Sequence, residues 1–351
     1  MPINEAKLNE FMGKALGDMG AAASATMVLI GDKLGLYKTM MKSGAVTPAK
    51  LAKLTGTSER YIREWLNNQA AGGYVTYDPT SGEYTLPPEQ AFALAEEGSP
   101  AFIPGAFQVI KAMFMAQDKI AKHFKSGKGM EWGDHHPELF EGTERFFRPS
   151  YLANLVPAWI PALDGVEAKI KRGARVSDIG CGHGASTIVM GLAYPQSSFF
   201  GFDYHKKSIQ SAQKRANSAG LKGRVSFAVA DASKFPGGPY DLICHFDCLH
   251  DMGDPLGAAS RVRKSLAPDG TWMIVEPNAA DRAEDNHNPI GRMFYAASTS
   301  LCVPNSLARK GPALGAQAGE ARLSDIIRKA GFTRVRKAAQ TPFNMVLEAR
   351  P

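Results

Sequence analysis

Four apolar runs in the second half of the chain each end on an acid, at Asp178, Asp203, Asp231 and Asp247. A buried strand that delivers a carboxylate to its carboxyl end puts a hydrogen-bond acceptor where open parallel sheets bind their ligands. After Asp178 the chain reads Ile179-Gly180-Cys181-Gly182-His183-Gly184-Ala185, with glycine at every second position. Lacking Cβ atoms, such a turn admits the close approach of a ribose or a ligand backbone. The turn alone does not distinguish one nucleoside-bearing ligand from another. The acids narrow the choice, because Asp178 would repel a pyrophosphate and attract a cationic amino group. Asp203 lies about twenty residues beyond the glycines, where a carboxylate accepts from ribose hydroxyls. His250, just past the fourth run, carries a ring that titrates near neutral pH and suits general-base chemistry.

The elements that must position these groups follow the rhythm of a parallel sheet. Strand patterns at Val176–Asp178, Ser198–Asp203, Val225–Ala232 and Tyr240–Asp247 are separated by turns and helix-compatible segments. A fifth strand is expected over Thr271–Glu276, and a late helix begins near Arg322. The four acidic strand ends are expected on one rim.

In that order, Asp178-x-Gly180-x-Gly182-x-Gly184, Asp203, Asp231-Ala232 and Phe246-Asp247-Cys248-Leu249-His250-Asp251 resemble the motifs of class I S-adenosylmethionine-dependent methyltransferases. The likeness runs from about Val166 to Pro351. It implies an α/β fold: a Rossmann-like, seven-stranded domain whose last strand (Phe343–Ala349) is antiparallel. It implies S-adenosylmethionine as cofactor, with Asp178 and the loop of Gly180, Cys181, Gly182 and Gly184 on the methionine and ribose side. Asp203 would bind the ribose hydroxyls, with Tyr204 beside it. Asp231 would take the adenine amino group, next to Ala232, and Phe246 would pack the adenosine. In small-molecule O-methyltransferases of this kind a His-Asp-Trp-x-Asp segment supplies the base. Here it reads His250-Asp251-Met252-Gly253-Asp254, with methionine in place of tryptophan. His183, His205 and His245 also fall near the rim, but their surroundings match cofactor motifs, so no metal is assigned.

The first half reads differently. Ile30, Leu34, Tyr37 and Met41 fall on one face of an amphipathic segment that starts near Ala21. Thr47-Pro48 looks like a cap and first helical residue for a helix Ala49–Leu54 that stops at Gly56, and Ser58 caps another through Leu66. Short alternating runs, Tyr74–Tyr77 and Glu83–Leu86, flank the turn Asp78-Pro79-Thr80-Ser81-Gly82. Helix, turn, helix and hairpin make a winged helix. Its second helix offsets Arg60 and Arg63 with Glu59 and Glu64, whereas a groove reader needs a surplus of cations. In the methyltransferases that this chain resembles, a winged helix serves dimerisation and helps close the substrate pocket. The expected organisation is a winged-helix and dimerisation domain over 1–99, a helical linker and substrate-pocket region over 100–165, and a catalytic domain over 166–351. In the linker, Met113, Phe114, Met115, Phe124, Trp132 and Phe140 suit core packing and also a pocket for a flat apolar acceptor, with Met293-Phe294-Tyr295 as a second wall.

Composition sets the outer bounds. At 351 residues the chain can hold two cores, and its formal charge of +7 is scattered over helix faces. Its four cysteines lack CxxC spacing, and the longest apolar stretch is too short for a bilayer, so a soluble cytoplasmic protein is expected. The reading is methyl transfer to a small, partly apolar acceptor, most readily at a hydroxyl, by a homodimer that binds neither nucleic acid nor membrane. Two alternatives remain open on sequence: a methyltransferase for carbon or nitrogen without a general base, and an S-adenosylmethionine-sensing regulator that binds DNA.

Overall fold

A computed structural model describes residues 2–351 and divides them into two compact units, 2–108 and 109–351. In the first, α1 (Glu5–Lys33) begins at Asn4, whose side chain caps Lys7 N–H, and α2 (Leu36–Ser43) follows. Then come α3 (Pro48–Thr55), α4 (Glu59–Ala71), the antiparallel wing β1 (Thr76–Asp78) and β2 (Glu83–Thr85), and α5 (Pro88–Leu94). Thr47 Oγ1 accepts from Lys50 N–H at 3.2 Å and Pro48 starts the helix, because a proline lacks only an N–H that has no partner there. Ser58 stands at the start of α4 without a side-chain cap bond, and α4 runs one turn past Leu66. Val28, Leu36, Tyr37, Met40, Leu51, Ile62, Trp65 and Leu66 form the core of this unit.

The first unit corrects one expectation. The helix starts at Glu5 rather than near Ala21, and Gly35, at φ 67°, breaks it before α2. Ile30, Leu34, Tyr37 and Met41 therefore do not share a helical face. Tyr37 is buried with its hydroxyl on Gln69, while Ile30, Leu34 and Met41 are exposed.

α6 (Pro104–Ser126) spans the division between the units, and α7 (Glu138–Asn154) follows within the second. The sheet domain then alternates α8 (Val166–Arg172), β3 (Arg175–Ile179), α9 (Ala185–Ala193), β4 (Ser198–Asp203), α10 (Lys206–Ser218), β5 (Val225–Val229) and β6 (Tyr240–Phe246). It closes with α11 (Pro255–Ser265), β7 (Leu266–Pro277), α12 (Pro289–Ala297), α13 (Val303–Ala308), α14 (Gly319–Lys329), β8 (Arg334–Gln340) and β9 (Asn344–Arg350). Seven strands stand in the order β5-β4-β3-β6-β7-β9-β8, parallel except for β9, which runs antiparallel to both its neighbours. Alternation along the strands builds two cores. Leu242, Cys244, Phe246, Met273, Val275 and Val346 face one side with α8 and α9. Ile243, Trp272, Ile274, Met345 and Leu347 face the other with α11 and α14. β3 and β4 lie at the centre of the parallel part, so their carboxyl ends and that of β6 open together beside the glycine turn.

Candidate active site

The glycine turn is tied to β4. Gly180 N–H and Cys181 N–H both donate to Phe202 O, at 2.7 and 3.1 Å. Gly180, Gly182 and Gly184 take φ of 73°, 51° and 78°, a region that side-chain-bearing residues rarely occupy. Asp203 accepts Gly182 N–H at 3.0 Å on one oxygen and His205 N–H at 2.7 Å on the other, and burial raises its pKa. Cys181 turns its thiol inward, so its backbone is what it offers the turn. Asp178 is fully buried and receives the Ser186 and Thr187 hydroxyls, each at 2.6 Å, on one oxygen. Its other oxygen has no hydrogen-bond partner among the described residues. Burial pushes this carboxyl up to about 6 despite the two hydroxyls. An unmatched acceptor next to a turn with glycine at every second position fits a ligand that brings an N–H cation.

A second cluster lies at the far end of the rim. Asp231 stands two residues past β5 and accepts both Ser233 N–H (2.9 Å) and Ser233 O–H (2.7 Å). Partial burial opposes its ionisation, but Ser233 and Arg309 prevail and hold the carboxyl below its ordinary range. The Arg309 guanidinium lies 3.8 Å over the Tyr204 ring and 3.3 Å from the Asp231 carboxylate. Tyr204 O–H donates to Asn305 at 3.4 Å. Ala232 packs on the core beneath, and Phe246 is buried at the end of β6 with its ring 5.2 Å from that of Tyr151.

The third cluster surrounds His250. A tight turn, Leu249–Asp251, follows β6 and buries His250. His250 Nδ1 pairs with a carboxylate oxygen of Glu276, and the other oxygen of Glu276 accepts Leu249 N–H at 2.8 Å. Glu276 is fully buried, and His250 Nε2 lies 3.3 Å from Cys302 Sγ. Burial alone would depress the imidazole, but Glu276 and Cys302 overcome it and hold the ring well above its ordinary pKa. With Nδ1–H held on Glu276, Nε2 is the nitrogen that gains and loses the ring's second proton. Asp247, at φ 50°, accepts from Asn344 at 2.8 Å, and burial and Glu276 raise it far above the carboxylate range. Burial likewise lifts Asp251 to about 7.

Sequence reasoning missed Glu276 and Cys302 as partners of His250. The signal for Glu276 was present, since the fifth apolar run ends on an acid as the other four do. Nothing local announces Cys302, which lies 52 residues from His250 in the chain. The structure also moves His245 from the rim into the core. It is fully buried, its Nδ1 accepts from Trp272 Nε1–H at 2.9 Å, and burial pushes it down to about 3. His205 bonds Ser208 and stacks on Phe140 at 4.6 Å. Among the described residues no cluster of His, Cys, Asp or Glu has an arrangement that could hold a metal ion. Near Cys302, the apolar side chains of Ala112, Met113, Trp132, Leu139, Phe294 and Leu301 form one cluster, whereas Phe114, Met115 and Phe124 point to solvent.

Seven strands in this order, with a glycine turn after β3 and acids at successive strand ends, make the fold of class I methyltransferase domains, here following a winged helix. Residues 170–329 match the model of the methyltransferase domain family, and residues 22–96 that of the Rv2258c-like winged HTH domain family. Among curated relatives, the 27-O-demethylrifamycin SV methyltransferase of Amycolatopsis mediterranei is 29% identical over 145 residues, 41% of this chain and 48% of that protein. The trans-aconitate 2-methyltransferase of Streptomyces avermitilis is 31% identical over 109 residues, 31% of this chain and 40% of its own length. The chain thus spans about half or less of the curated relatives it matches. Solved structures follow it much further. An O-methyltransferase family protein from Burkholderia thailandensis superimposes with a TM-score of 0.71 over 100% of this chain and 98% of that one, at 17% identity. Human N-acetylserotonin methyltransferase, solved with S-adenosylmethionine, gives 0.69 over 97% of each chain at 16% identity. At such identities the likeness establishes the fold.

Proposed function

We propose that the protein transfers a methyl group from S-adenosylmethionine to a hydroxyl of a small, partly apolar acceptor, with His250 as the general base. The observation that carries this reading is the buried Glu276–His250 pair, which turns Nε2 toward Cys302 Sγ beside an apolar cluster. The cofactor, when bound, supplies an electrophilic methyl on a sulfonium. The chain's own residues do the rest. Asp178 meets the methionine amino group, the turn Gly180–Gly184 lets the ribose come close, Asp203 accepts from its hydroxyls, and Asp231 takes the adenine amino group. The acceptor hydroxyl replaces Cys302 Sγ at His250 Nε2 and loses its proton there, while Glu276 stabilises the imidazolium that results. Burial keeps water from competing for the methyl group.

One relative named above is a 27-O-demethylrifamycin SV methyltransferase and one similar structure is of an O-methyltransferase family protein, which supports this choice over carbon or nitrogen. The paired arginines of α4, Arg60 with Glu64 and Arg63 with Glu59, weigh against a DNA-binding regulator. The first turns of α1 expose Leu8, Phe11, Met12, Leu16 and Met19 at helical spacing, and this apolar stripe supports a homodimer built on the first unit. Four free thiols support a cytoplasmic location, and among the described residues no helix is long and apolar enough to cross a membrane.

The test is product identity. Incubated with S-adenosylmethionine and a panel of phenols, enols, amines and activated carbon acids, the protein should yield O-methyl products and S-adenosylhomocysteine, read by mass spectrometry. Methylation confined to carbon or nitrogen, and equally fast in His250→Ala, would overturn the reading. Light scattering should give a dimer mass that falls to a monomer when Phe11 and Leu16 are both changed to Asp.

A further inference from the structure

Arg309 stands where a ligand should. Its planar guanidinium stacks on Tyr204 at 3.8 Å and presents Nη1–H to the Asp231 carboxylate at 3.3 Å. An adenine ring placed between the ribose acid Asp203 and its amino-group acceptor Asp231 would need the same two things: a flat surface to lie on and a carboxylate for an N–H. Only one planar group fits on that face of Tyr204 at a time. We propose that in the free chain Arg309 fills the adenine seat, and that the cofactor binds by exchanging its base for the guanidinium. This proposal rests on the reading of Asp203 and Asp231 given above, and assigns to a residue outside every cofactor motif a part in setting cofactor affinity.

The surroundings of Arg309 favour exchange of the side chain over movement of the backbone. Gly253 approaches the Arg309 Cβ so closely that any side chain at 253 would collide with it. Arg309 N–H donates to Ser306 O at 3.1 Å, Ser306 Oγ–H donates to Met252 O at 2.8 Å, and Asn305 Nδ2–H donates to Asp251 O at 3.1 Å. The main chain of α13 is thereby stitched to the segment that carries His250. The guanidinium itself is held by its tip alone: its buried Nε has no partner among the described residues, and the side chain is 28% exposed. Glu131 lies 3.8 Å from Nη2 and offers the displaced cation a second carboxylate. Gly253, at the variable position after Met252, thus makes room for this arginine.

The probe is S-adenosylhomocysteine, titrated calorimetrically into the full-length protein, so that no turnover is needed. Arg309→Ala should bind roughly three to ten times more tightly than wild type, the size of a lost stacking and ion-pair competitor. Arg309→Lys, which keeps the charge but loses the plane, should fall between. A tenfold rise in salt should narrow the gap between wild type and Arg309→Ala, because it weakens the internal ion pair and leaves the stacking. In a Tyr204→Ala background the gain from Arg309→Ala should vanish. Equal or weaker binding by Arg309→Ala, with Tyr204→Ala weakened, would overturn the exchange and leave the adenine seat standing. Unchanged binding by Tyr204→Ala would instead sink the seat itself, and the exchange with it.

Discussion

The two units treat charge in opposite ways. On α4 of the winged helix each arginine is spent on a glutamate four residues away, at the surface, where such pairs contribute little. In the sheet domain, carboxyl groups at Asp178, Asp247 and Glu276 are taken out of water at strand ends, and two of them keep an oxygen without a partner. The first arrangement cancels a field that nucleic acid would need. The second concentrates unsatisfied acceptors at one rim, which costs stability and is repaid only by a ligand or a proton. Apolar surface is distributed in the reverse sense, exposed along α1 and enclosed around the rim. On the reading proposed above, the exposed stripe of α1 serves contact with another protein surface and the rim serves a small cationic molecule.

The comparison breaks most visibly at His250. His250→Ala should leave S-adenosylhomocysteine affinity near wild type and lower the methylation rate by roughly a hundredfold or more, with the smallest loss for acidic hydroxyls. Steady-state rates together with calorimetry check both halves. Asp178→Asn comes next, because it removes a buried charge that the fold disfavours. The folded pKa is raised to about 6, so ionisation destabilises the fold progressively as pH climbs above the unfolded value. The variant should therefore be more stable than wild type by about 2 kcal/mol at pH 8, with the advantage shrinking toward pH 4. Denaturant unfolding at the two pH values decides it, and the same variant should bind cofactor less well.

Glu276→Gln should slow transfer by roughly tenfold and shift the acid limb of the rate profile. The direction is fixed by the causes. Glu276 raises the imidazole and burial lowers it, so without the carboxylate the limb must move to lower pH. A limb that stays in place would remove His250 as the titrating base. The smallest effect belongs to the winged helix. Changing Glu59 and Glu64 to Ala frees Arg60 and Arg63, and should give weak, salt-sensitive retention of duplex DNA that the parent chain lacks. Equal retention by both would show that the paired arginines are not what decides the matter.

Much of this was legible in the sequence, for physical reasons that differ by region. β3 reads as a continuous apolar run because it is buried on both faces, and the runs of β3, β4 and β5 each lead to an acid, so Asp178, Asp203 and Asp231 mark their own places. The wing and α3 were readable from Thr47-Pro48 and from the turn at Asp78–Gly82. What was hidden depended on distance along the chain or on exposure. Cys302 reaches His250 across 52 residues, and no spacing rule carries that far. His245 looks like a rim residue until alternation along β6 turns it toward Trp272. The first turns of α1 have no core beneath them, so their apolar residues gave no period of burial to follow.

Between α12 and α13 the helix widens into a single π turn, Ser298–Cys302. Such a turn holds one residue more than its α-helical neighbours, and that residue sets the phase of everything after it. Removing one residue there would restore the narrower helix and rotate the following positions by roughly 100°. Asn305, Ser306 and Arg309 would then be carried off the segment they now bind, and Cys302 off the imidazole. A one-residue deletion here would therefore detune both ends of the site at once, through angle alone and without altering a single side chain in it.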